Sequence, residues 1–301
     1  MAGTREDVTL SRVPSCKLHK AVRLLHEEGY TLSELCRAAH MSRQAYYQYK
    51  TKAISSRELE NEAIADTILM IYHEFNGILG YRMMQLYVNR RMGKQYNHKR
   101  IYRLMRLLGL KSVTRVKKKF YVKSTPQHVA ENLLNREFTA NKKNQKWLTD
   151  VTEFQYNGGK AYLSAILDLH DNSIVSFVIG KNNNNTLVFQ TLKLAIERNP
   201  KAQPMIHSDR GFQYTSYGFS RMLALQGMTQ SMSRVGRCLD NAPMEGFWGK
   251  VKSEKYYLKK GYSTYEELVH DIETYLEFYN NARLQRKLNN LAPMEYRALA
   301  S

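Results

Sequence analysis

Three acidic residues of this chain sit in segments suited to chemistry at phosphate. Asp150 falls in Trp-Leu-Thr-Asp-Val-Thr-Glu-Phe, residues 147–154, which reads as a strand. Asp209 falls in Pro-Met-Ile-His-Ser-Asp-Arg-Gly-Phe-Gln-Tyr, residues 204–214, an apolar strand end running into a polar turn. Glu245 falls in Asp-Asn-Ala-Pro-Met-Glu-Gly-Phe-Trp, residues 240–248, the start of a helix, with 35 residues between Asp209 and Glu245. Three carboxylates whose motifs supply no charge partner suggest a divalent-metal site. Hard cations such as magnesium take oxygen ligands, few of them from protein, and leave room for phosphate oxygens. Two such ions about 3.5–4 Å apart can activate an attacking oxygen and stabilise a leaving one. Close carboxylates repel unless a cation neutralises them, so metal would also organise the site.

Neighbouring residues leave alternatives open. Asp168 ends the apolar run Ala-Ile-Leu-Asp-Leu at 165–169 and could approach the same pocket or serve the fold alone. His207 could orient a ligand or simply pack. Glu153 falls on the opposite strand face from Asp150, because side chains alternate along a strand, and is the poorer ligand. Lys252 follows Glu245 by seven positions, two helical turns, and so shares its face. It could meet a phosphate entering the site or remain a solvated lysine. Arg234, Arg237, Lys250, Lys255, Arg283 and Arg286 add positive charge nearby in sequence.

The elements that must position these groups have α/β texture from Trp147 onward. Strands are expected near 147–156, 161–169 and 173–180, the first two joined by a hairpin-like turn at Asn-Gly-Gly-Lys, 157–160. A helix from Thr186 to Arg198, a strand from Gln203 to Ser208, a helix from Ser216 to Gln226 and a short strand from Met228 to Met232 follow. Asp240 or Asn241 caps a helix reaching about Tyr257, with Pro243 tolerated in its first turn. Thr264 to Asn281 is a last amphipathic helix.

The N-terminal half reads as helical. Residues 1–16 are polar and expected to be poorly ordered. Val22, Leu24, Leu25, Leu32, Leu35 and Ala38 fit apolar helix faces. Met41-Ser42 reads as a turn and N-cap, placing Arg43, Gln44 and Tyr47 near the start of a third helix. That pattern is either a helix-turn-helix, whose second helix offers N-terminal side chains to the major groove, or a plain three-helix packing unit. A second block, 55–110, ends in a basic amphipathic helix. Ile101, Leu104, Met105 and Leu108 form its stripe. Lys99, Arg100, Arg103 and Arg106 form a DNA-contacting or merely solvated face. Residues 111–145 crowd Lys117, Lys118, Lys119 and Lys123 around Phe120 and Tyr121, which suits a basic linker that tracks nucleic acid or one that is only soluble.

The words Trp-Leu-Thr-Asp-Val-Thr, His-Ser-Asp-Arg-Gly-Phe-Gln-Tyr, Ser-Met-Ser-Arg, Asp-Asn-Ala-Pro-Met-Glu, Phe-Trp-Gly-Lys-Val-Lys-Ser-Glu and Tyr-Asn-Asn-Ala-Arg occur in this order. Together they resemble the DDE transposase and integrase superfamily, and within it the second-frame (OrfB class) transposases of the bacterial insertion sequences numbered family three. The resemblance covers nearly the whole chain. It implies an α/β, ribonuclease-H-like integrase catalytic core over 146–301, preceded by all-α helix-turn-helix domains over 1–53 and 54–110 and a basic linker over 111–145. It implies that Asp150, Asp209 and Glu245 are the catalytic metal ligands, holding two Mg2+ or Mn2+ ions, and that Asp168 and His207 stand outside the triad. Lys252 matches the place of an integrase lysine that meets DNA. The implied reaction is strand cleavage and strand transfer at insertion-sequence ends. The implied partners are double-stranded DNA (terminal inverted repeats and target), further copies of the chain assembled on DNA, and an upstream-frame protein. The implied location is the bacterial cytoplasm, at the nucleoid.

Bulk properties agree with a polyanionic partner. The net charge is +19 and the pI about 9.7, which a nucleic-acid-binding protein or, more blandly, a ribosome-associated basic protein would show. Cys16, Cys36 and Cys238 form no Cys-x-x-Cys pair, and an odd count suits a reducing compartment. No His/Cys array of zinc-finger spacing occurs, unlike the N-terminal module of retroviral integrases. No signal core or long uncharged apolar run is present, so no membrane span is expected. Three readings follow: an active transposase, a nuclease of the same fold using water alone, or a DNA-binding regulator without activity.

Overall fold

The computed structural model describes residues 15–51, 55–114, 130–234 and 238–299. Of residues 1–16, expected to be poorly ordered, 1–14 lie outside the described residues, as does the basic-aromatic cluster at 115–129, whereas Ser15 and Cys16 open a helix. Two compact units divide the chain, one through Ile64 and one from Ala65. No helix among the described residues is long and apolar enough to cross a membrane.

The first unit contains α1 (Ser15–Glu27), α2 (Leu32–Ala38) and α3 (Arg43–Thr51). Gly29, at φ +104°, turns the chain between α1 and α2. Ser42 caps α3, its hydroxyl accepting from the Ala45 amide at 3.0 Å. Val22, Cys36 and Tyr46 form the small buried core, with Leu32 and Leu35 packed against it. Leu24 and Leu25 are expected inside but are exposed. Three short helices around one narrow seam bury little more than one residue from each.

In the second unit, α4 (Ser56–Glu74) runs across the unit boundary into α5 (Tyr81–Met92) and α6 (His98–Leu107). Asn97 caps α6 by accepting from the Lys99 amide. Gly109, at φ +71°, follows the helix in the left-handed conformation, where the Leu110 amide closes back on the Met105 carbonyl. Ile101, Leu104 and Met105 are buried against α5, whereas Leu107 is largely exposed.

A five-stranded sheet follows in the order β3-β2-β1-β4-β5. β1 (Lys146–Tyr156), β2 (Gly159–Asp168) and β3 (Ile174–Gly180) are antiparallel, while β4 (Met205–Ser208) and β5 (Thr229–Met232) run parallel to β1. Asn157 and Gly158 make the β1–β2 turn, with Gly158 at φ +110°. One sheet face, including Leu148, Phe154 and Leu163, packs against α9 (Ala242–Glu254) and α10 (Tyr265–Asn281). The other, including Trp147, Ile166 and Ile206, packs against α7 (Asn185–Arg198) and α8 (Tyr217–Leu225). A short α11 (Pro293–Leu299) closes the chain. Covering both faces of a mixed sheet is the α/β layering expected.

Residues 130–145 have little regular structure but pack on the sheet edge. Leu134 is buried, the Leu133 and Leu134 amides donate to the Ser231 hydroxyl, and Asn132 and Arg136 bond Asp240. The stretch expected to belong to a linker therefore serves, in this part, as a flank of the sheet.

Candidate active site

Asp150 lies in the middle of β1, opposite Ala165, on the face that carries Leu148 and Phe154 and looks toward α9. β1 and β4 are parallel, with Leu148 abreast of His207. Carried two residues further, one of them beyond the end of β4, that register brings Asp209 abreast of Asp150 on the same side. Glu245 stands in the first turn of α9, a helix anchored on that face by Met244, Phe247, Trp248 and Val251.

The charges of Asp209 and Glu245 both act on the Asp150 carboxyl. The Asp150 carboxyl is pushed up to about 7, by burial first, then by the Asp209 charge, with Glu245 adding to it. Two hydrogen bonds oppose the rise: Trp248 Nε1 donates to Asp150 Oδ2 at 2.9 Å, and the Val151 amide also helps hold the charge. Asp209 is raised by burial, against a 2.8 Å bond from the Gly211 amide. Protein atoms crowd around Asp209, yet its side chain keeps contact with solvent. A side chain at Gly211 would stand 3.0 Å from Asp209 Oδ1, so glycine permits that close approach. Glu245 is exposed and raised by partial burial. Beneath them Tyr214 is fully enclosed, its hydroxyl 3.3 Å from Thr149 Oγ1. Burial and the two aspartates hold that phenol neutral.

The acids elsewhere in this unit provide a contrast. Asp168 and Asp171 share Arg297 at 2.8 and 2.7 Å. Asp240 is clamped by Arg234 and Arg136, Glu254 by Arg283, and Asp271 by Lys255 and Lys259. Asp150, Asp209 and Glu245 form no ion pair with any described residue. Arg210, adjacent to Asp209, is turned away, its Nε donating to the Ser233 carbonyl at 2.7 Å. Among the described residues no three His, Cys, Asp or Glu side chains form a ready-made metal cage. An open, all-oxygen set of unneutralised carboxylates nevertheless fits a hard divalent cation, which keeps several non-protein ligands.

Asp168 does not join the site. It pairs with Trp147 across β1 and β2, which puts it on the opposite face from Asp150. There it accepts from the Asn144 and His170 amides and from Arg297. His207 is buried between Ser231 and Ser233, at 2.9 and 3.0 Å from their hydroxyls, and burial lowers its pKa to about 4. It is a neutral strut between β4 and β5, reaching Ser231 within β5 and Ser233 just after it. Lys252 lies further along α9, its ammonium 5.6 Å from the centre of the Phe154 ring, on the sheet face that Asp150 shares. Lys255, by contrast, is bound to Asp271 at 3.0 Å.

The other DNA-contact candidates are split by exposure. Arg43, Gln44 and Tyr47 are exposed on α3, while Tyr46 turns inward. Lys99 and Arg103 are exposed on α6. Arg100 is half-buried, its guanidinium 5.4 Å from the centre of the Tyr96 ring.

Sequence reasoning misses three structural roles. Trp248 donates to Asp150; its place three residues after Glu245 was the available signal. Asn280 both accepts from and donates to the Ile174 backbone, tying α10 to β3. Arg283 bonds Glu254 at 2.8 and 2.6 Å, tying the end of α10 to the end of α9.

Comparison with known proteins agrees with this architecture. Integrase core domain families match residues 140–238 and 245–299, and an HTH-like domain family matches residues 58–118. The protein named as transposase InsK for insertion sequence element IS150 of Escherichia coli (strain K12) is 41% identical over 279 residues, spanning 92% of this chain and 97% of that protein. The transposase for insertion sequence element IS904 of Lactococcus lactis subsp. lactis (strain IL1403) is 30% identical over 246 residues, spanning 80% of this chain and 96% of that protein. Among solved structures, the HTLV-2 integrase catalytic core domain in complex with magnesium aligns with a TM-score of 0.42 and 19% identity, covering 52% of this chain and 98% of that one.

Proposed function

Because this chain belongs to the insertion-sequence transposases built on an integrase core domain, we propose that Asp150, Asp209 and Glu245 are its catalytic triad and hold two divalent cations, Mg2+ or Mn2+. The family is one of polynucleotidyl transferases that act in DNA transposition and integration, and the integrase core depends on a divalent metal. The observation that carries the assignment is the charge pattern. The buried acids of the catalytic unit among the described residues, Asp168, Asp171, Asp240 and Asp271, each have an arginine or lysine partner, and half-buried Asp150 and its neighbours Asp209 and Glu245 do not.

Bound at these carboxylates, divalent cations would activate an attacking oxygen and stabilise a leaving one. The protein's part is positioning and charge. Trp248 and the Val151 amide favour the ionised form of Asp150, the form that can ligate. The Gly211 amide fixes the rotamer of Asp209. Tyr214 stays protonated and offers no competing anion. The reaction is phosphoryl transfer without a protein nucleophile: water cleaves a phosphodiester at the element's end, leaving a 3′ hydroxyl. That hydroxyl then forms a new bond to a second phosphorus as the bond to its former 3′ oxygen breaks.

Double-stranded DNA is the partner of the helical segments in this reading. α3 offers Arg43, Gln44 and Tyr47 to terminal repeats, α6 offers Lys99, Arg100 and Arg103, and Lys252 meets a phosphate near the reacting bond. The residue divisions 1–53, 54–110, 111–145 and 146–301, assembly of further copies on DNA and an upstream-frame partner belong to the same proposal.

Thermal melting with and without Mg2+ tests the triad independently of activity. A folded-state carboxyl raised above its unfolded value contributes stability at low pH that is lost as pH rises through the folded value. Without metal at pH 8, Asp150→Asn should therefore melt no lower than wild type. Added Mg2+ should raise the melting temperature of wild type and lose that effect in Asp150→Asn, Asp209→Asn and Glu245→Gln. The same three variants should fail to join labelled terminal DNA to target. Strand joining by any one of them removes that residue from the set.

A further inference from the structure

Lys250 and Lys287 lie outside the site just described, on another flank of α9. Lys250 follows Glu245 by five positions, about 140° around a helix of 3.6 residues per turn, and so points away from the acids, toward the end of α10. Its ammonium is 5.9 Å from the centre of the Tyr279 ring. The Arg283 guanidinium is 6.0 Å from the centre of the same ring. Arg283 is committed to Glu254, whose Oε2 also accepts from the Tyr275 hydroxyl. The one acid close to Lys250 is thereby already engaged, and Lys250 forms no ion pair with any described residue. Lys287 lies in the following turn and is exposed. Beside it Arg286 bonds Gln85 of α5 at 2.9 Å. The cations therefore gather at the seam where the HTH-like segment meets the catalytic sheet and helices.

We propose that Lys250 and Lys287 form a binding site for a backbone phosphate of double-stranded DNA, on the flank of α9 turned away from the three acids. A half-buried ammonium among other cations is an arrangement that folding alone does not favour. Burial first, and then the Arg283 charge, push the Lys250 pKa down to about 8; Lys287 pushes the same way and Glu254 opposes. An incoming phosphate supplies the missing anion. Sequence is irrelevant to such a contact, because every nucleotide carries the same phosphate.

The proposal rests on the reading of DNA as the partner, not on the triad, so binding is measured without chemistry. The full chain, in chelator, is titrated with a duplex of random sequence over a range of salt, and by calorimetry at pH 8.5 in buffers of different ionisation enthalpy. One phosphate contact contributes about 0.9 to the salt slope. Lys250→Met should lower the slope by about that amount and weaken binding about eight-fold at 0.1 M salt, an effect that fades toward 1 M. With a free-state pKa of about 8, wild type should take up roughly 0.7 proton on binding at pH 8.5. Lys250→Met should take up none and melt no lower than wild type. Lys250→Arg should keep the slope and lose the uptake, and it decides the matter should the methionine variant misfold. Lys287→Ala should lower the slope in the same way. Wild-type slope and wild-type proton uptake in the Lys250 variants would overturn the site while leaving the DNA reading intact. A wild-type chain that binds no duplex would overturn both.

Discussion

Arg283 is the side chain whose loss should most disturb α9 without touching the three acids. Its Nε and Nη2 donate to Glu254 at 2.8 and 2.6 Å, and the Tyr275 hydroxyl donates to the same carboxylate at 2.9 Å. The paired side chains are only 11% and 13% exposed, so water cannot replace a missing partner. Removing one member of a buried pair leaves an uncompensated charge, at a cost of about 3–5 kcal/mol. Replacing both members is often nearly neutral. Arg283→Met should therefore destabilise the unit by about 3–5 kcal/mol. Adding Glu254→Gln, which keeps an oxygen for Tyr275, should recover at least half of that. The effect should also reach function. Glu254 ends the helix that begins near Glu245, and the backbone around Arg283 is held from the other side by Tyr87, which bonds Ala282 and Leu284 at 2.8 and 3.2 Å. Strand joining by Arg283→Met should fall more than its DNA affinity and return in part in the double variant. Chemical denaturation of wild type, both single variants and the double gives the coupling directly. A loss below about 1 kcal/mol for Arg283→Met, or strictly additive losses, would refute the view that this pair anchors α9.

Two further outcomes are expected. His207 is held at about 4 against an ordinary 6.5, so the unfolded chain takes a proton first as pH falls. Its contribution is present above about 6.5 and is lost toward 4, up to about 3 kcal/mol; a His207→Asn variant with an unflattened stability profile across that window would show that another group governs it. Lys252→Ala should reduce strand joining more than overall affinity and lower the salt slope by about 0.9, whereas Lys255→Ala, which breaks the bond to Asp271, should act on stability; equal small effects of the two on joining would leave Lys252 an ordinary surface cation.

The order of elements is legible because each has a local cause. The β-branched and aromatic residues of Trp147–Phe154 mark β1, Asn157 and Gly158 mark the turn, and Gly109 marks the end of α6. The N-terminal bundle is less legible. Leu24 and Leu25 satisfy helical periodicity, yet Val22, Cys36 and Tyr46 make the core. In a unit with so little interior, periodicity names several faces and only packing chooses among them. Residues 130–145 mislead for the complementary reason. Polar composition resembles a linker, but the contacts that seat this stretch, to Ser231 and Asp240, come from residues about a hundred positions away.

The site shows the same division between local and distant causes. Strand parity and register suffice to put Asp150 and Asp209 on one face, and helix entry puts Glu245 beside them. What separates these acids from Asp168, Asp171, Asp240 and Glu254 is not residue type or local word but the presence of a basic partner, and most of those partners arrive from far along the chain, Arg234 beside Asp240 being the near one. Arg297 reaches Asp168 across 129 positions, and Arg136 reaches Asp240 across 104. Even Arg210, next to Asp209, is drawn away to Ser233. An excess of cations in the sequence would suggest that every buried acid is neutralised internally. The fold instead assigns arginines and lysines to the structural acids and leaves three carboxylates repelling one another on an open face. Burial raises the proton affinity of all three, the neighbouring charges add to it at Asp150, and a divalent cation is the partner that would relieve it.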